Sequence, residues 1–225
     1  MKLPFNTRQF LEVFKNYNHA IWPLQIVFIV LAVVALSVII WNPLITGKIV
    51  PLILGLLWMW MGGVYHMIFF SSINGIAKIF GILFIMQGIL FLRYVITGAQ
   101  TFQFKKGIYG IAGGALIFYA LVLYPVAGYY TGHVYPYSPT FGAPCPTTIF
   151  TFGILVLSKD RVPFYMLIIP FTWAFIGFSA VLKLGMYEDT GLIICAIVLG
   201  ILNLTKNKKI TPVHSNQLTG EMRYN

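Results

Sequence analysis

The sequence predicts an all-α fold, a polytopic transmembrane helix bundle. Of its 225 residues, 59% are apolar and 9% charged, against about 45–50% and about 25% in soluble domains. Mean hydropathy is +0.84, and a soluble core of this size could not hide so much apolar surface. The apolar residues run continuously instead of alternating, which excludes a transmembrane β-barrel. Cys145 and Cys195 are too few for a disulfide scaffold.

Residues 1–19 read as an N-terminal amphipathic helix. Asn6 or Thr7 can cap it, and Phe10, Phe14 and Tyr17 recur at spacings of four and three with Val13 beside them. Arg8, Glu12 and Lys15 fall elsewhere on the wheel, so an interfacial helix lying on the membrane is expected. The first apolar stretch starts near Ala20 and lacks a small-residue cleavage site, so it reads as a span and not as a signal peptide.

Residues 20–205 form the bundle, with seven spans at 20–41, 49–70, 74–97, 107–130, 146–158, 163–184 and 188–205. The fifth is 13 residues, about 20 Å of helix. It either crosses as a short span that thins the bilayer or re-enters among the other helices. Trp22, Trp41, Tyr129, Tyr130 and Tyr187 fall at the boundaries, as an aromatic belt does. Residues 206–225 are a basic polar tail. No internal repeat is visible, so the inverted repeat of many secondary transporters is missing.

The formal net charge of +10 reports orientation and attraction to a lipid bilayer. No nucleic-acid-binding motif accompanies it, so no nucleic acid is expected as a partner. With seven spans, five Lys/Arg lie on the face carrying the N-terminus and ten on the opposite face, which makes the latter cytoplasmic. A re-entrant fifth segment reverses the count and puts both termini inside. The tight turn Lys159-Asp160-Arg161-Val162 favours seven spans, and only then do Lys105 and Lys106 share its side.

Parity gathers the reactive side chains. His19 opens the first span, His66 closes the second, and His133 and Cys145 lie in the loop after the fourth. All fall on the N-terminal face whichever way the fifth segment runs, and Glu188 and Asp189 join them if it crosses. The loop from Gly132 to Thr148 carries four prolines, which suits a rigid, shaped cap. Pro146 fits the first turn of the fifth helix, where the helix dipole favours the thiolate of Cys145. His19, His66, His133, Cys145 and Asp189 are thus the candidate ligand-binding residues. One reading makes them a metal or haem site, since imidazole and thiolate suit zinc, copper or haem iron. The other makes them interfacial histidines under a structural cap, since no pair has i, i+4 or Cys-x-x-Cys spacing.

Counting along the spans puts no Asp or Glu at mid-membrane depth, which argues against an ion-coupled pump and leaves a passive pore or neutral-solute carrier. Gln87, Tyr119, Thr151, Thr172, Trp173 and Ser179 read as helix–helix glue. Gly110-x-x-x-Gly114, Gly81 with Gly88, and Ala196-x-x-x-Gly200 allow close helix approach, within a compact bundle or across a homodimer or partner interface. Nucleophile-elbow, Walker A, His-Glu-x-x-His and dinucleotide motifs are all missing, so the residues lean away from an enzyme.

Two stretches carry a resemblance: Gln9-Phe10-Leu11 through Trp22-Pro23-x-Gln25, and His133-x-Tyr135-Pro136 through Pro144-Cys145-Pro146-Thr147-Thr148. They resemble an uncharacterised bacterial family of small multi-pass membrane proteins, a domain of unknown function, from about residue 4 to about residue 205. The resemblance implies a membrane-embedded domain, at times labelled a permease, and supplies no catalytic residues. The expected location is the inner (cytoplasmic) membrane. The functions in view are a permease-like or small-solute or metal-binding protein, a membrane redox or metalloenzyme component using Cys145 and the histidines, and a structural partner subunit.

Overall fold

A computed structural model describes residues 4–206. The tail beyond Lys206, with His214, lies outside the described residues. Eight helices follow one another, with no strand among the described residues. They are α1 (Thr7–Ile21), α2 (Leu24–Trp41), α3 (Thr46–Ser72), α4 (Ala77–Thr97), α5 (Ile108–Tyr130), α6 (Pro144–Val156), α7 (Ile168–Leu184) and α8 (Tyr187–Leu204). Five of them, α2, α3, α4, α5 and α8, are long and apolar enough to cross a membrane.

The expected count of seven is not supported, because two of the expected spans, α6 and α7, are shorter. Helix α6 has 13 residues, and every one is buried. At about 1.5 Å per residue it reaches about 20 Å, short of the roughly 30 Å hydrocarbon layer. It is apolar because protein surrounds it on all sides, which hydropathy alone cannot tell from lipid. Helix α7 is also short, at 17 residues.

Capping starts α1 at Asn6. Its side chain accepts from the Gln9 amide at 2.9 Å, and the Gln9 side chain accepts from the Asn6 amide at 2.9 Å. The apolar face expected to rest on lipid meets protein instead: Val13, Phe14 and Tyr17 are buried. Phe14 stacks on Tyr65 of α3 at a ring distance of 5.7 Å, and Tyr17 meets the same ring edge-on at 5.3 Å. Trp60 Nε1 donates to the Tyr17 hydroxyl at 2.9 Å, which donates to the Gly142 carbonyl at 2.8 Å. Asn18 binds the proline loop through the carbonyls of Pro136 (2.7 Å) and Ser138 (2.8 Å). Helix α1 and the loop therefore form one lid over the bundle.

Below the lid, small residues set the spacing. Gly55 and Gly62 of α3 meet Gly88 and Gly81 of α4, so the expected glycine pair of α4 packs within this chain. Gly113 of α5 meets Gly153 of α6 in the same way. Two helices widen into π-helical turns, α3 at Met61–Phe69 and α5 at Tyr119–Leu123.

Helix α6 runs antiparallel to α5, with Leu157 beside Gly113 near one end. At that end the Lys206 ammonium donates to the carbonyls of Val156 (2.7 Å) and Ser158 (2.7 Å) and reaches that of Leu155 at 3.4 Å. A cation is well placed at a helix C-terminus. Burial, with Lys105 nearby, lowers this lysine to about 8.

A Cβ at Gly62 would sit 2.6 Å from the Gly81 carbonyl oxygen, whereas at Gly63 it would meet nothing within 4 Å. Gly62→Ala is expected to lower stability in detergent by about 1–3 kcal/mol, read by thermal unfolding, with Gly63→Ala unchanged. Equal unfolding temperatures for the two variants would show that close α3–α4 contact is not required.

Candidate functional site

The lid closes a cavity of about 90 Å³. Phe5, Phe10 and Phe14 form its roof, with Tyr65 and Phe70 from α3 and Phe80 from α4. Its polar groups are Cys145 at the start of α6, Trp173 and Ser179 of α7, Asp189 at the start of α8, and Asn74 from the turn before α4. Six helices thus contribute, and the chamber lies where the α6 and α8 N-termini come level with the interiors of α3 and α5. Tyr124, for instance, is six residues before the end of α5, about 9 Å along the axis.

Glu188 and Asp189 anchor the chemistry. Both are only 1% exposed. Tyr124 donates to Asp189 Oδ1 at 2.5 Å, and the Cys145 thiol donates to Oδ2 at 3.5 Å. Glu188 is held from the loop side: His133 Nδ1 lies 2.8 Å from Oε1, and Thr131 donates to Oε2 at 3.3 Å. Tyr119, from the π-helical turn of α5, donates to the Glu188 carbonyl at 2.7 Å. Adjacent in sequence, the two carboxylates link the proline loop to the chamber. Both lie at the start of α8, where the sequence count put the end of a span, and the lid covers them.

Trp173 supplies an unused donor. It is 7% exposed, and its Nε1 has no hydrogen-bond partner among the described residues. A Cβ added at Gly177 would lie 3.8 Å from this nitrogen and 3.9 Å from Cys145 Sγ. The tight contact at Gly177 is with Leu192 of α8, whose Cδ1 would lie 2.7 Å from that Cβ, so the glycine lets α7 close on α8 beside the indole and the thiol. A buried donor left unpaired costs about 1–3 kcal/mol, so a group that pairs with it gains accordingly.

Of the five residues expected from sequence, Cys145 and Asp189 meet directly and His133 joins through Glu188. His66 is fully buried with both ring nitrogens unpartnered among the described residues. It packs on Phe84 (4.5 Å) and Trp173 (4.9 Å), behind the chamber wall. His19 is exposed at the end of α1, 6.5 Å from the Tyr135 ring. Among the described residues, no three His, Cys, Asp or Glu side chains stand where they could share a metal ion. The chamber is also far below the roughly 300–1,000 Å³ of sites for larger ligands, which leaves no room for haem.

Sequence reasoning passed over Tyr65 and Tyr124 and took Trp173 as glue between helices. The available signal was Trp173 itself, an indole N–H deep in an apolar segment that needs a partner when buried.

The chain belongs to a family of unknown function (DUF6064), whose model matches residues 7–215. No curated protein and no solved structure matches it.

The bond to Glu188 holds His133 above its ordinary 6.5, against a smaller opposing effect of burial. A group raised on folding stabilises fully below its unfolded pKa and loses that contribution as pH rises through the folded value. The unfolding temperature of the wild type should exceed that of His133→Phe more at about pH 6 than at about pH 9. A gap that stays constant or widens with pH would show that His133 carries no charge-dependent bond to Glu188.

Proposed function

We propose that this protein is a permease-like, small-solute-binding membrane protein whose binding site is the chamber beneath α1. The observation that carries this reading is the meeting of an indole donor unpaired among the described residues, a thiol and a buried carboxylate in a largely apolar cavity. Sites of this kind pair an apolar wall with a few convergent polar groups that fix orientation.

Size and polarity narrow the solute. A cavity of about 90 Å³ is well below the roughly 300–1,000 Å³ of sites for drug-sized ligands, so the occupant is a small solute such as urea or glycerol. Trp173 offers a donor and Asp189 an acceptor. A neutral solute with hydrogen-bonding groups of both kinds is favoured, and a permanent ion would be stripped of water at great cost in the aromatic lining. In this reading Cys145 and Asp189 contact the solute, His133 steadies the second carboxylate, and His66 buttresses Trp173. His19 stays outside the site.

In this reading the solute reaches the chamber from the side of α1 and the loop, since α6 fills the bundle beyond it.

Proteoliposomes with labelled urea or glycerol test the proposal. Uptake of at least one should exceed that of protein-free vesicles, and Trp173→Phe and Asp189→Asn should each reduce it about five- to tenfold, the worth of one well-placed hydrogen bond. Uptake equal to empty vesicles for both solutes, or unchanged in both variants, would refute it.

A further inference from the structure

A second, larger space lies on the opposite side of Tyr124. Its volume is about 450 Å³, and it opens between α2 and α5 beneath the proline loop. Helix α2 packs on α3 and α1 and leaves this gap, with Ile26 and Ile29 exposed beside it. The two helices bordering it are both apolar enough to cross a membrane, so the gap opens towards hydrocarbon.

The lining has a polarity gradient. Ile26, Ile29, Ala120 and Leu121 make one end apolar, while Gln25, His133 and Ser138 make the end under the loop polar. Gln25 is 6% exposed. Its Nε2 donates to the Asn18 carbonyl at 2.8 Å, which fixes the amide and leaves Oε1 as an acceptor without a partner among the described residues. An unfilled acceptor beside a gap open to lipid asks for a donor on something that partitions into lipid. An α-helix about 10 Å across would not fit a gap of this volume, and small-molecule sites span roughly 300–1,000 Å³.

We propose that this crevice binds a membrane amphiphile whose apolar chain lies between α2 and α5 and whose head donates a hydrogen bond to Gln25. His133 borders the same polar end, and Glu188 favours its protonated form, so a head that also carries an acceptor gains a second bond. A phospholipid with a glycerol head has both groups, and a long-chain phenol has the donor. A choline phospholipid lacks the donor and is the matched control.

Native mass spectrometry of the purified protein, exchanged into detergent with each probe, decides the matter. Dioleoyl phosphatidylglycerol or pentadecylphenol is expected to remain bound at about one per chain, about five- to tenfold above dioleoyl phosphatidylcholine, as one hydrogen bond would give. Retention of phosphatidylglycerol alone assigns the site to bilayer lipid, and retention of the phenol alone assigns it to a dissolved lipophile. Gln25→Met should abolish the preference. Because that change also frees the end of α1, Leu121→Trp, which fills the crevice from α5, should independently lower retention of every probe. Equal retention of all three probes, retention of none, or retention unaltered by Leu121→Trp would overturn the proposal.

Discussion

Everything in this fold depends on a polar backbone buried where no water reaches it. Helix α6 has no exposed residue, so both its ends must be satisfied by protein. At its start, prolines 144 and 146 have no amide hydrogen to satisfy, and the Thr147 hydroxyl accepts from the Gly142 amide at 3.0 Å. At its end, Lys206 reaches in from beyond α8. Around it the other helices must close tightly, which the glycine contacts allow. The chamber forms where the start of α6 meets the start of α8, under a lid that holds the same loop.

Much of the architecture was legible in the amino-acid sequence. Helix boundaries agree within a few residues, because runs of apolar side chains, the Asn6 cap and glycines at the ends of α4 and α7 are local signals. Gly98 and Gly185 both have positive φ, 58° and 74°, which ends a helix cleanly. What could not be read was which neighbour an apolar surface meets. Val13, Phe14 and Tyr17 look the same whether they face lipid or Tyr65, and α6 looks the same as a span or as a core.

The site follows the same division. Parity placed Cys145 on the N-terminal face and Asp189 beside it only if the fifth segment crossed; in the fold the thiol donates to Asp189 at 3.5 Å. His66 and His19 could not be sorted, because one lies behind an aromatic wall and the other on the surface, a difference set by three-dimensional packing. Trp173 and Tyr124 matter through where their polar atoms end, which depends on how α5 and α7 rotate against α8. No spacing rule reports that rotation.

The π-helical turns add a consequence for how α3 and α5 are to be interpreted. Each accommodates a residue beyond the regular helical count, and one residue corresponds to about 100° around the axis. The stripe facing the core before Met61 therefore does not continue in phase after Phe69, and the same holds on either side of Tyr119–Leu123. A single helical wheel drawn through either helix mixes two phases. Tyr65 and His66 sit within one such turn and Tyr124 directly after the other, so the offset aims these aromatic side chains into the bundle. In related chains, a one-residue gap at these positions would mark the loss of that offset and a different chamber wall.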